Sequence, residues 1–363
     1  MNNNFGSYKK EDCIFLLKDI SSLIQERGNE EREKCIQNGM HYSEMIPIEY
    51  EPSKEYYDLF HSSLQESKTK LALYTGLMSE KIWRKYGENT VLVSLARAGS
   101  PIGVLSKRYL KKYYNVDIPH YSISIIRDKG IDVNAIKYIL ENHPNGKIQF
   151  VDGWTGKGTI TNVLKEACDN LKNDFNIALD ESLAVIADPA GFSSVYGTRE
   201  DFLIPSACLN SIVSGLVSRT VLRSDIISEN DFHGAKFYDN LVEKDLSNFY
   251  VDEISNCFDE VKSDIDTTMS NWTEDTISKM GTKDVNFIKE TFNVTDINFI
   301  KPGIGETTRV LLRRIPDMIL VDSLNNPNLK HILVLAKEKN VPVKELQLNA
   351  YSCCGIIKNL KDV

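Results

Sequence analysis

The sequence predicts an α/β fold: a parallel sheet flanked by helices, followed by a second, smaller α/β unit. Three observations predict it. Between residues 90 and 187, aliphatic and β-branched runs of strand length alternate with helical patterns. Such alternation makes crossover units and a parallel sheet covered on both faces. Each run ends in a short turn rich in Gly, Ser, Thr, Asp or Arg, at the edge where open parallel sheets bind ligands. Apolar runs then restart after Met280-Gly-Thr-Lys283, beyond a polar and acidic stretch.

The elements follow in order. Residues 1–40 read as helical and charged. Residues 41–60, with Tyr42, Pro47, Pro52, Tyr56 and Tyr57, read as an irregular aromatic connection. Residues 62–86 read as a helix with Leu71, Leu73, Leu77 and Trp83 as apolar members. Thr90–Leu95 is a buried-strand run that ends in the turn Ala96-Arg97-Ala98-Gly99-Ser100-Pro101, and Ile102, Leu105, Tyr109 and Leu110 then make a helical face. Tyr121–Ile126 is a strand running into Arg127-Asp128-Lys129-Gly130, and Ala135–Leu140 is a short helix. Lys147–Val151 is a strand, and Ile160, Val163, Leu164, Ala167, Cys168 and Leu171 form the 3-4 spaced face of the next helix. Ser182–Ala187 is a strand ending in Asp188-Pro-Ala-Gly191. Residues 224–280 read as mostly helical, with 280–283 as a linker. Val310–Leu312, Met318–Val321, a helix near 328–339 and Val341–Val343 make up the last unit. The division is a helical extension over 1–86 packed on the core, a sheet domain over 87–279 and a small domain over 280–363.

The chain has 363 residues, 26% of them charged and 42% hydrophobic, an ordinary globular composition. It holds no apolar run of the ~20 residues a membrane span needs, and its first residues lack the apolar core of a signal peptide. A cytoplasmic protein with no membrane contact is expected. The seven cysteines are scattered without a C-x-x-C pair, so reduced thiols are expected and a zinc site is not. Net charge is −8, but residues 281–363 carry 12 Lys+Arg against 9 Asp+Glu, a net of +3, which leaves −11 on the rest. A nucleic-acid role is therefore confined to the tail. Nothing sets the oligomeric state, and a homodimer is left open.

The run Asp152-Gly153-Trp154-Thr155-Gly156-Lys157-Gly158-Thr159 closes a strand and opens a helix. It is not a G-x-x-x-x-G-K-[ST] loop, because Gly158 follows Lys157 and no glycine stands at the required distance. It suits a phosphate all the same. An acid at a strand end can hold hydroxyls, while Thr155, Gly156, Lys157, Gly158 and Thr159, with Gly153, offer N–H groups and hydroxyls at a helix N-terminus. The alternative is a plain strand-to-helix turn. Two further turns share the predicted edge: Arg97-Ala98-Gly99-Ser100, and Arg127 with Lys129.

In chain order these three turns resemble the diphosphate loop, mobile loop and phosphoribosyl loop of type I phosphoribosyltransferases. The resemblance implies a type I phosphoribosyltransferase-like parallel sheet that binds phosphoribosyl diphosphate, or a nucleotide, with Mg²⁺. Asp152 would hold the ribose and the metal, and Arg97, Arg127 and Lys129 would stabilise the departing diphosphate as a nitrogenous acceptor attacks. Asp188, Arg199 and Arg219 would face the acceptor. Most such enzymes carry two adjacent acids before the Thr/Gly loop; here the second place is Gly153. That departure favours the alternative of a non-catalytic nucleotide-sensing and RNA-binding module.

Five segments in order carry a closer resemblance: S-L-A-R-A-G-S-P-I-G, S-I-I-R-D-K-G-I-D, V-D-G-W-T-G-K-G, I-A-D-P-A-G and Y-G-T-R-E-D-F-L-I-P-S-A-C-L-N-S-I-V-S-G-L-V-S-R-T. Together they resemble the phosphoribosyltransferase-like family of bacterial tellurite-resistance stress operons, also known under the cysteine protease name StiP. That family ends in a PELOTA-like RNA-binding domain. M-I-L-V-D-S-L-N-N-P-N-L and L-A-K-E-K-N-V-P-V are similar to the L7Ae/PELOTA fold. This implies structured RNA as a partner, with Arg309, Arg313, Arg314, Lys330 and Lys344 as contacts. The protease name would need a thiolate beside a histidine; the pair considered is Cys208 and His233, the nearest histidine downstream of it, and Cys208 also fits a buried filler.

Overall fold

The computed structural model describes residues 5–49 and 51–359. The amino-terminal part is not mainly helical. It holds three two-residue strands, β1 (Ile14–Phe15), β2 (Lys18–Asp19) and β3 (Glu26–Arg27), one helix α1 (Asn29–Gln37) and β4 (Ile46–Pro47). Strands of two residues leave no periodic signal, which is why charge content suggested a helix there. The next helix, α2 (Lys54–Tyr86), runs for 33 residues and presents Phe60, Leu64, Leu71, Met78 and Ile82 as a buried face.

The core follows as alternating elements: β5 (Thr90–Leu95), α3 (Ser100–Tyr114), β6 (His120–Ile123), β7 (Ile125–Ile126), β8 (Gly130–Ile131), α4 (Val133–Asn142), β9 (Lys147–Trp154), α5 (Thr159–Phe175), β10 (Leu183–Ala187) and β11 (Tyr196–Thr198). The main sheet has the order β1-β6-β5-β9-β10-β11 and is parallel throughout. From β5 the chain steps to β6 on one side, then returns to β9 on the other. The strand order thus reverses between β5 and β9, and their carboxyl ends flank the crevice in which open α/β sheets place ligands. The predicted 121–126 strand divides into β6 and β7, and β7 pairs with β8 as a tight hairpin. Arg127-Asp128-Lys129 is therefore the tip of a short hairpin rather than a long closing loop. Tyr42 pins it by accepting a hydrogen bond from the Arg127 N–H at 2.7 Å.

β12 (Gly234–Ala235), α6 (Ser247–Ser255) and α7 (Phe258–Ser270) close the far side, with α7 lying along α2. Residues 280–283 are not a linker: α8 (Met280–Thr291) begins there, after the irregular stretch 272–279. The last unit comprises β13 (Ile300–Pro302), α9 (Ile304–Arg313), β14 (Pro316–Val321), α10 (Lys330–Glu338), β15 (Val343–Glu345) and β16 (Cys353–Ile357). Its separate four-stranded sheet has the order β13-β16-β14-β15. No helix among the described residues is long and apolar enough to cross a membrane.

Gly197 shows how closely α2 meets the sheet. A Cβ there would lie 2.4 Å from the Tyr74 carbonyl oxygen and 2.8 Å from that of Ile186, both backbone atoms that cannot swing away. Gly197→Ala is therefore expected to cost about 1–3 kcal/mol, seen as a lower urea midpoint.

Candidate functional site at the carboxyl edge of the sheet

The turns after β5 and β9 do converge. A Cβ on Gly99 would lie 2.3 Å from the Val151 carbonyl oxygen, so only glycine lets the turn after β5 press against β9. Ser100, at the start of α3, is buried and shares a 2.8 Å hydroxyl contact with Ser122. The Arg97 guanidinium donates to the Val217 carbonyl at 3.0 Å and lies 3.5 Å from Glu49.

Asp152 stands near the end of β9, which extends to Trp154, three residues past the expected end. Its carboxylate accepts the Gly153 N–H at 2.8 Å. Burial pushes its pKa up to about 7, against the pull of the Gly153 N–H and Arg309. A carboxyl with that pKa exchanges its proton near neutral pH, a property that collects at functional sites. Among the described residues no cluster of three His, Cys, Asp or Glu side chains is arranged to hold a metal ion. Asp152 feels both Arg309 and Glu306, so a magnesium ion there would draw most of its ligands from water or phosphate.

The loop after β9 does not open to solvent as a bare phosphate cradle. Thr155 turns inward and its hydroxyl donates to Asp188. Gly158 takes φ +80°, with the Phe192 ring packed where a Cβ would go, and no side chain caps α5, which begins at Thr159. Lys157 donates to the Ile297 carbonyl at 2.7 Å, and Tyr351 donates to the Gly156 carbonyl at 3.1 Å. Gly305 packs on Trp154, and the Arg309 guanidinium lies over that indole at 4.7 Å. Ile297, Gly305, Arg309 and Tyr351 all belong to the carboxyl-terminal unit, which covers the loop. Burial, and then Lys301 and Arg127, lower the Lys157 pKa to about 8.

Asp188 and Arg199 do not face an open acceptor pocket. Asp188 is fully buried and accepts from Thr155, from the Phe192 and Ser193 N–H groups and from Arg199. Arg199 also donates to Asp275 at 2.9 Å. This is a closed ion-pair network that ties β10 to the following loops. Arg219 differs: it is exposed, and its side chain makes no ion pair or hydrogen bond among the described residues. Arg127 and Lys129 are exposed at the hairpin tip.

The tail residues separate as well. Arg309 pairs with Glu306 at 3.1 Å, Lys344 lies 5.0 Å from the Phe292 ring centre, and Arg314 and Lys330 are exposed. The Arg313 side chain lies outside the described residues. Cys208 is buried beside Tyr250, whereas His233 contacts Ser124 at 2.8 Å and its N–H donates to Asp132. The two occupy different surroundings and form no dyad. Six of the seven cysteines are buried. The partly exposed one, Cys35, receives a 2.8 Å hydrogen bond from Arg27, and no described histidine hydrogen-bonds to it. Sequence reading passed it over because it lies in a charged segment without a motif.

Fold and site thus define a mixed α/β protein with a parallel central sheet, whose ligand edge is overlaid by a second α/β unit. A family model described as tellurite-like stress resistance cysteine protease StiP matches residues 6–255, and one for the PELOTA RNA binding domain matches residues 279–359. A relative from Acinetobacter baylyi, named cysteine protease StiP, is 32% identical over 367 residues, covering 98% of this chain and 94% of the relative. The chain belongs to the StiP family and carries a PELOTA domain at its carboxyl end. The expectation of phosphoribosyl transfer is overturned: the family model and the relative both carry a protease name, a hydrolase rather than a transferase.

The raised Asp152 pKa has a definite sign. A carboxyl that holds its proton more tightly folded than unfolded contributes fully below the unfolded value of about 3.9, and the contribution is lost as pH rises through about 7. Asp152→Asn should therefore melt above wild type at pH 8, with the gap narrowing toward pH 5, in thermal unfolding across that range.

Proposed function

We propose that this protein is an RNA-binding stress-resistance factor whose PELOTA domain holds structured RNA against the edge of the core. One observation carries the reading. The domain that matches an RNA-binding family is also the basic part of an acidic chain, and it presents Arg314, Lys330 and Lys344 to solvent. RNA phosphates are drawn to that domain and repelled by most of the remaining surface, which orients the encounter. Basic side chains at such a surface neutralise phosphates and stack on unpaired bases. The double variant Arg314→Ala/Lys344→Ala is expected to weaken binding of a labelled RNA hairpin roughly tenfold at low salt. It should also lower the slope of log affinity against log salt by about 2. Undiminished binding, measured by fluorescence anisotropy, would sink the reading.

A second reading comes from the name of the family and its relative: thiol-dependent peptide hydrolysis. Cys35 favours it. A reactive thiol needs solvent access and a neighbouring cation, and Cys35 has both. Cys35→Ser is expected to abolish both iodoacetamide labelling of the native protein and any cleavage of a peptide library. Cleavage that survives Cys35→Ser would exclude this thiol as the nucleophile.

A further inference from the structure

Five arginines from four parts of the chain gather where the core edge faces α9. Arg32 comes from α1, Arg97 from the turn after β5, Arg219 from the segment after β11, and Arg309 and Arg314 from α9 and its end. Guanidinium groups repel one another, so a fold that gathers them needs carboxylates or an outside anion. Glu49 serves Arg97 and Glu306 serves Arg309. The side chains of Arg219 and Arg314 make no ion pair or hydrogen bond among the described residues, and the Arg309 Nε is buried without a partner. Loss of surrounding water, and then the charges of Arg97, Arg32, Arg314 and Arg309, lower the Arg219 pKa to about 10, although its side chain is exposed.

A small recess of about 30 Å³ lies between Arg97 and Arg309, lined also by Ala98, Ser206, Asn210 and Ser214. Its walls come from both bodies of the molecule. Pockets that enclose a whole small ligand occupy roughly 300–1,000 Å³. This one is far smaller and open to solvent, so it admits no more than one group of a longer ligand.

We propose that this recess is a second RNA-contact site, in which a backbone phosphate of RNA held by the PELOTA domain lies against Arg97 of the core and Arg309 of α9, with Arg219 and Arg314 adding positive charge nearby. The proposal rests on the RNA-binding reading above and adds that binding spans both bodies. Two contact points on one strand raise affinity beyond what either gives alone.

The test uses the full chain, a fluorescein-labelled RNA hairpin and three variants: Arg219→Ala, Arg219→Lys and the PELOTA-domain double variant Lys330→Ala/Lys344→Ala. Arg219→Ala should weaken binding several-fold and reduce the salt slope by about 1, while Arg219→Lys restores most of both. Removing one of several crowded like charges should leave the melting temperature of the free protein unchanged or raised. The proposal is overturned if Arg219→Ala binds like wild type while the PELOTA-domain double variant is weakened; RNA is then confined to that domain and the broader reading survives. A lowered melting temperature with no rescue by Arg219→Lys marks a structural role and also overturns it. If wild type does not bind the hairpin, the RNA reading and this one fall together. If wild type binds inorganic pyrophosphate but no RNA, the recess takes a small phosphate ligand instead.

Discussion

The relation between the two bodies of this molecule hangs on one buried carboxylate. Asp201, just after β11, accepts the Ile304 N–H at 2.9 Å through one oxygen and the Ser352 N–H at 2.9 Å through the other. Ile304 opens α9, and Ser352 leads into β16. One side chain of the core thus satisfies an orphan donor at a helix start and a strand-edge donor of the second unit. Burial pushes its pKa up to about 6 against those N–H bonds, the cost of burying a charge whose partners are all neutral. Around this anchor, Gly281 donates to the Ala190 carbonyl, Asn328 to Glu200, and Tyr56 to the Leu312 carbonyl. Asp201 fixes the start of α9 above the sheet edge, and these contacts hold the rest of the unit there.

With α9 fixed, the electrostatics of the edge follow. The chain as a whole is acidic, yet the field at the crevice is set by guanidinium groups brought in from distant segments. Net charge governs solubility and long-range encounter, whereas a lined crevice focuses its own field locally. Both are true of this protein at once. The reversal of strand order between β5 and β9 supplies the opening, and the PELOTA domain supplies half of its charged wall.

Much of this was legible in the residues. β5 and β10 stand out because aliphatic strand-length runs end in Gly- or Pro-bearing turns, and α5 because Leu164, Ala167, Cys168 and Leu171 keep helical spacing and are all buried. The basic tail unit was visible from charge and its apolar restarts. What escaped depends on long-range contact. β1 joins the main sheet beside β6 through Ile14 and Tyr121, a pairing no local pattern announces. The loop after β9 has the composition of a phosphate cradle, but whether Thr155 faces outward or toward Asp188 is decided by a strand 33 residues away. Arg219 was singled out as an anion anchor, while its companions Arg32 and Arg309 lie far off in sequence. The transferase expectation failed for a related reason: strand–turn–helix units with Gly-rich turns describe an architecture, and architecture does not specify the reaction.

The covered loop also bears on how the protein can be dissected. Lys157, Gly156 and Trp154 are met by Ile297, Tyr351, Gly305 and Arg309, so the PELOTA domain sits on the core in the manner of a built-in ligand. A shortened chain lacking that domain is not the same core with one function subtracted. It would bare the Trp154 indole, leave the Asp201 carboxylate without its two donors, and uncover a glycine-rich turn that the intact protein keeps sealed. The separated core would be a different binding surface, and what it captured would report on the cut rather than on the whole molecule.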